Sequence, residues 1–148
     1  MTETIAAPDL PAAADAIDLA DRVVGRAVRQ LAASGGPDAH QVLAYDIAHA
    51  ASGVATARSL LDYGAKGEVE AKITCAFAAD MLHELASKLL GREEAWGVDR
   101  DPLANAHAFM TQFRAPEFLA SLADQPGPSH LDTEMEMVSD TFASFAAN

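Results

Sequence analysis

The sequence predicts an all-α protein, an up-and-down helical bundle built around one long helical hairpin. Three observations carry this. Apolar residues recur at steps of three and four through most of the chain, runs with a period of two and β-branched character are missing, and Gly and Pro cluster at a few separated points. The hairpin spans residues 38–91 and reverses at Tyr63-Gly64-Ala65-Lys66-Gly67.

The elements follow in order. Residues 1–11 hold Pro8 and Pro11 among scattered alanines and read as a flexible leader, leaving 12–148 as a single helical-bundle domain. From 12 to 33, Ile17, Ala20, Val24, Ala27, Val28 and Leu31 form one stripe, opposed by Asp18, Arg22, Arg26 and Arg29. Ser34-Gly35-Gly36-Pro37 ends that helix, and Asp38 is the expected N-cap of the next. In the first arm of the hairpin Leu43, Ile47, Ala50, Val54, Ala57 and Leu61 make the packing seam. Gly64 and Gly67 are expected to turn the chain through positive φ, with Glu68 and Glu70 suiting the start of the second arm. In that arm Ala71, Cys75, Ala78, Leu82, Leu85 and Leu89 face inward, while Lys72, Asp80, Glu84, Ser87 and Lys88 face out. Gly91 closes it.

Residues 92–100 read as a loop or short turn in which Trp96 closes the hairpin. Asp101-Pro102 is a helix start, followed by Leu103, Ala106, Phe109, Met110 and Phe113 at helical spacing. A short helix covers 116–123 through Phe118, Leu119 and Leu122, and Gln125-Pro126-Gly127-Pro128 breaks it. The last helix, 129–148, opens on a capping box of Ser129 and Asp132 and carries Leu131, Met135, Val138, Phe142 and Phe145 on one face. It has no Gly, Pro or basic last turn, so the sequence reads as continuing past Asn148.

Composition narrows function. A chain of 148 residues is long enough to bury a core unaided. Its hydrophobic half is rich in alanine and only 6% of residues are aromatic, which favours close helix packing with few large anchors. The net charge of −12, from 22 acidic and 10 basic residues, shows no basic cluster along the sequence and argues against nucleic acid and anionic membranes as partners. No apolar run reaches the ~18 residues of a membrane span, and the N-terminus lacks the basic and apolar regions of a signal peptide. Cys75 is the single cysteine, so no intrachain disulfide can form and a cytoplasmic setting is expected, with the thiol buried and inert.

Chemistry-bearing motifs are few. Asp46-x-x-His49 and Asp80-x-x-His83 lie on adjacent antiparallel arms at similar heights from the turn, the layout in which ferritin-like bundles hold two metals through Glu-x-x-His pairs. Asp is shorter than Glu, His49 is turned off the seam, and Asp80 and His83 fall on the polar arc. These four are therefore weak metal candidates, and solvated or locally bonded side chains are expected. His40, His107 and His130 are isolated and read as surface or capping residues. Arg58 with Asp62 and Glu84 with Lys88 are expected i, i+4 pairs. Phosphate-loop, nucleophile-elbow, Cys-x-x-Cys and His-Glu-x-x-His signatures are missing.

One resemblance covers residues 12–147. Asp46-Ile-Ala-His-Ala-Ala, Ala57 to Lys72 (Ala-Arg-Ser-Leu-Leu-Asp-Tyr-Gly-Ala-Lys-Gly-Glu-Val-Glu-Ala-Lys), Phe77-Ala-Ala-Asp80 and Leu89-Leu-Gly-Arg-Glu-Glu-Ala-Trp-Gly97 resemble the helical domain that precedes the flavin-binding core in long bacterial acyl-CoA dehydrogenase-family proteins. The tail from His130 to Ala146 looks like the entry into the first helix of that core. The resemblance implies a helical module of an FAD-dependent acyl-CoA oxidation system, with a structural or oligomerisation role and no catalysis by itself. Its partner is then an acyl-CoA dehydrogenase core or a second copy. The family's flavin, CoA and base-bearing segments lie downstream of the matched part. No catalytic residue is carried onto this chain, no cofactor-binding residue is assigned, and FAD belongs to the parent family. The alternatives are a self-standing homodimeric helical interaction protein, whose last helix is covered by a second copy, and a metal- or small-ligand-binding bundle through Asp46, His49, Asp80 and His83.

Overall fold

A computed structural model describes residues 5–123, 125 and 127–147. Residues 1–4 of the expected leader, Pro126 of the expected break, and Asn148 lie outside the described residues. Among those described there are seven α-helices, one 3-10 turn and no strand: α1 (Leu10–Ala33), α2 (Gly36–Ala39), α3 (Gln41–Gly64), α4 (Glu68–Leu89), a 3-10 turn at Ala104–Ala106, α5 (His107–Phe113), α6 (Pro116–Ala123) and α7 (Thr133–Ala146). No described helix is long and apolar enough to cross a membrane.

The bundle is the hairpin α3–α4 with α1 laid against both arms and α5 and α6 against α4. Helix α1 starts two residues before its expected position because Asp9 caps it, its carboxylate accepting from the Ala12 amide at 2.9 Å, and Pro11 fits the first turn. Ile17, Ala20, Val24, Ala27 and Leu31 are buried as the spacing predicts. Val28 is not. It is half exposed, and Ala13, Ala16 and Val23 complete the face instead. The α3 seam holds throughout: Ile47, Ala50, Val54 and Ala57 are buried, and Leu43 and Leu61 pack against the same core.

Helix α4 is the centre of the molecule, with α1, α3, α5 and α6 all in contact with it. Its predicted inner face is fully buried, and so are Glu70, Lys72, Thr74, Ala76, Ala79 and Met81. The polar arc therefore narrows to a line through Ile73, Phe77, Asp80, Glu84 and Ser87. Lys72, expected outside, is covered and makes two contacts, to Glu68 Oε1 at 3.0 Å and to Gln125 Oε1 at 2.9 Å. A buried lysine is retained because both contacts accept its protons.

Several turn expectations change. Asp38 lies in the short α2, and the N-cap position of α3 falls to His40, whose Nε2 meets the carbonyl of Ser34 at 2.9 Å and so caps the end of α1 rather than the start of α3. Gly64 is the last residue of α3 and Gly67 is extended at φ 179°, so neither uses positive φ. Gly64 is there for space. A Cβ on it would stand 2.7 Å from Thr74 Oγ1 and 2.8 Å from a Leu10 methyl, so the α1, α3 and α4 crossing closes only over a bare backbone. Gly91 does take positive φ, at 76°. Asp101 starts no helix: it is itself left-handed at φ 55°, and α5 waits until His107. Helix α6 occupies its predicted span.

The segment between α4 and α5 is tied to α3 and α1. Trp96 is fully buried, Arg92 reaches Asp46 of α3 at 2.7 Å, and Arg26 of α1 reaches Asp99 at 3.4 Å. Phe109, Phe113 and Phe118 form an aromatic chain with ring centroids 4.7 and 5.0 Å apart, which seats α5 and α6.

Helix α7 departs from the expected bundle. It lies within the stretch expected to form a single bundle domain, yet none of its residues is buried. Its cap is Asp132, accepting from the Met135 amide at 2.9 Å, while the Ser129 hydroxyl accepts from Leu131 instead of closing a capping box.

Candidate binding surfaces

The four weak metal candidates are held apart. Asp46 is engaged by Arg92, Asp80 by Arg114 at 2.7 Å, and the His49 ring lies on Tyr45 with centroids 4.6 Å apart. His83 is exposed at the edge of a cleft of about 410 Å³, between the end of α4 and the 100–107 segment, with Leu90, Arg100, Leu103 and His107. Two carboxylates satisfied by guanidinium groups are poor ligands for a metal. Among the described residues no three His, Cys, Asp or Glu side chains meet in a group able to hold one.

Two histidines expected to be isolated are not. His107 Nε2 contacts Asp101 at 3.0 Å. His130 Nε2 contacts the buried Glu70 carboxylate at 2.5 Å and stands edge-on to Tyr63, with centroids 5.6 Å apart. The His130 hydrogen bond and then the backbone hydrogen bond at Glu70 hold this carboxyl below its ordinary pKa, against the opposing effect of burial. Glu70, Lys72 and Thr74 thus form a polar knot at the turn of the hairpin. Thr74 Oγ1 lies 2.9 Å from the carbonyl of Leu60 and 2.8 Å from that of Glu70, joining α3 to α4. Through His130 and Gln125 the knot also fastens the segment that leads to α7.

Arg58 does not pair with Asp62. It crosses to α1 and meets Asp18 at 3.0 Å and Asp21 at 3.2 Å, whereas Glu84 and Lys88 pair as expected at 3.0 Å. Cys75 is fully buried, burial raises its thiol pKa, and the Asp9 amide donates to Sγ at 3.4 Å. Such a thiol is unreactive.

Two surfaces stand out from this background. The first is rich in arginine. The outer face of α1 and the loop after α4 enclose a groove of about 630 Å³ lined by Arg22, Arg26, Arg29 and Arg100 around Gly25, together with Asp21, Asp99 and Asp101. Arg22, Arg26 and Arg29 share a face at steps of four and three, which the sequence displays, but Arg100 joins them only through the path of the loop. The second is α7 with the residues just before it, where Leu131, Met135, Val138, Phe142 and Phe145 are all exposed, Phe142 by 71% and Phe145 by 85%.

No family model, no curated protein and no solved structure matches this chain.

Proposed function

We propose that this chain is a helical assembly module that pairs with a second copy of itself through α7. The observation that carries the reading is the 71% and 85% exposure of Phe142 and Phe145, on a helix with no buried residue. Exposed aromatic side chains on a stable helix cost free energy until something covers them. Their spacing favours a like partner. Leu131, Met135, Val138, Phe142 and Phe145 follow steps of four, three, four and three, the seam of a two-helix pair, and a seam of this kind is self-complementary about a two-fold axis. Charge is compatible with pairing. Glu136 and Asp140 fall on the outer side, and Glu134 is the one acid of α7 that flanks the seam, where the other flanking positions include Ser139 and Thr141, so the acids need not face each other. A pair this short is marginal alone, and the attachment of each α7 to a folded bundle supplies the remaining order. The role is structural, with no catalysis assigned, and a cytoplasmic location rests on the single buried thiol.

The test is size-exclusion chromatography with light scattering on the whole chain, read also at flavin wavelengths. A colourless dimer that becomes monomeric in Phe142→Asp/Phe145→Asp supports the reading. A monomeric parent, or a dimer indifferent to the double substitution, overturns it.

The same exposed face suits a second reading that rests on the sequence resemblance: α7 docks on the core of an acyl-CoA dehydrogenase-like, FAD-dependent partner, and the module serves acyl-CoA oxidation without catalysing it. A monomer that binds such a purified core, and loses it in the same double variant, supports this over self-pairing.

A further inference from the structure

We propose that the groove between α1 and the loop after α4 binds a small polyanion of the diphosphate type, independently of any pairing through α7. Four of the chain's seven arginines line it, in a protein whose net charge is −12. Three carboxylates, Asp21, Asp99 and Asp101, line the same groove and offset part of this charge, but none of them is bonded to Arg22, Arg29 or Arg100. Asp21 is turned to Arg58 at 3.2 Å, Asp101 to His107 at 3.0 Å, and the contact of Asp99 with Arg26 is a long 3.4 Å with Asp99 93% exposed. Among the described residues Arg22, Arg29 and Arg100 have no hydrogen-bonding or ion-pair partner. Three unpaired guanidinium groups on one concave surface repel one another, and an anion with several oxygens relieves that repulsion.

Geometry selects the ligand class. Arg22 and Arg29 are two turns apart, about 10 Å along the helix, with Arg26 between them and Arg100 facing from the loop, so adjacent anionic groups can be held at the same time. Guanidinium donors in planar pairs match phosphate oxygens in a two-pronged arrangement that a lysine ammonium does not provide. Gly25 sits among them and leaves the floor open. A Cβ there would meet only Arg29 Nη1, at 3.6 Å, an ordinary contact with the end of a flexible side chain, so the position accepts a side chain without disturbing the fold. A groove of about 630 Å³ is of the size that holds small molecules.

Isothermal titration of pyrophosphate into the full chain, at low ionic strength and without divalent cations, tests the proposal. The expected result is saturable one-to-one binding, at least about tenfold weaker in Arg22→Ala/Arg29→Ala, because each lost charge-assisted contact corresponds to roughly that factor. Gly25→Leu should weaken binding to a similar degree by filling the floor while every charge remains. Arg114→Ala, on a distant pair, should change nothing, and circular dichroism confirms that each variant is folded. Phe142→Asp/Phe145→Asp should bind like the parent, which separates this site from the assembly reading. Absence of saturable binding, unchanged affinity in either groove variant, or conversion of a dimer to monomer by pyrophosphate overturns the proposal. That last outcome would assign the groove to the acidic α7 of a second copy.

Discussion

Gly64→Ala is the sharpest test of how the hairpin closes. The new methyl would stand 2.7 Å from Thr74 Oγ1, 2.8 Å from Leu10 Cδ2 and 3.1 Å from Thr74 Cβ, where ordinary contact is about 3.5 to 4.0 Å. The leucine methyl can rotate away. Thr74 cannot do so freely, because its hydroxyl is fixed between the carbonyls of Leu60 and Glu70. The α3–α4 crossing must therefore open by several tenths of an ångström. Overpacking of this kind costs about 1–3 kcal/mol, and the better helix propensity of alanine returns less than about 1 kcal/mol at the last residue of a helix. A net loss of about 1–2 kcal/mol follows, or roughly 2–8 °C in the thermal midpoint for a domain of this size. Thermal unfolding followed by far-UV circular dichroism reads it directly. In a Leu10→Ala background the penalty should shrink by at least about 0.5 kcal/mol, since one of the two obstructing groups has gone. An unchanged or raised midpoint in Gly64→Ala would refute the claim that the glycine is required for close approach.

Two further outcomes follow from buried polar groups. Glu70 has a folded pKa below its ordinary value, so its contribution to stability is present in full above the ordinary carboxylate pKa and is lost as pH falls through the depressed folded value; Glu70→Gln should flatten that acid limb of a urea-unfolding series, and an unchanged limb would show that the His130 contact does not stabilise the fold. Trp96 is fully buried and its Nε1 has no hydrogen-bond partner among the described residues, so Trp96→Phe should stay within about 1 kcal/mol of the parent, the lost packing being offset by removal of an unpaired donor, whereas Trp96→Ala should cost about 3–5 kcal/mol; a phenylalanine variant as damaging as alanine would refute the offset.

Helical periodicity made most of the bundle legible before any coordinates. The α3 seam from Leu43 to Leu61 and the α4 face from Ala71 to Leu89 are inside because apolar side chains at steps of three and four leave one face of each helix to bury. The burial of Cys75, the end of the second arm at Gly91, the span of α6 and the apolar stripe of α7 were legible for equally local reasons: a face, a turn, a pair of boundaries and a spacing. The candidate sites were read less well. Asp46 and Asp80 look like possible ligands in the sequence because nothing nearby along the chain consumes them, and their actual partners, Arg92 and Arg114, stand 46 and 34 residues away.

What the sequence determined by itself was which residues form helices and which face of each is apolar, since these follow from interactions within a few residues. Tertiary structure decided the rest. It buried Lys72 by placing Gln125 over it, fastened His130 to Glu70, and used Gly64 for clearance instead of a left-handed turn. It also brought Arg100 to the Arg22, Arg26 and Arg29 face. Each of these depends on where a distant segment lies. That position is set by the summed packing of the core, while an individual exposed ion pair contributes about 1 kcal/mol or less and leaves no periodic mark in the chain.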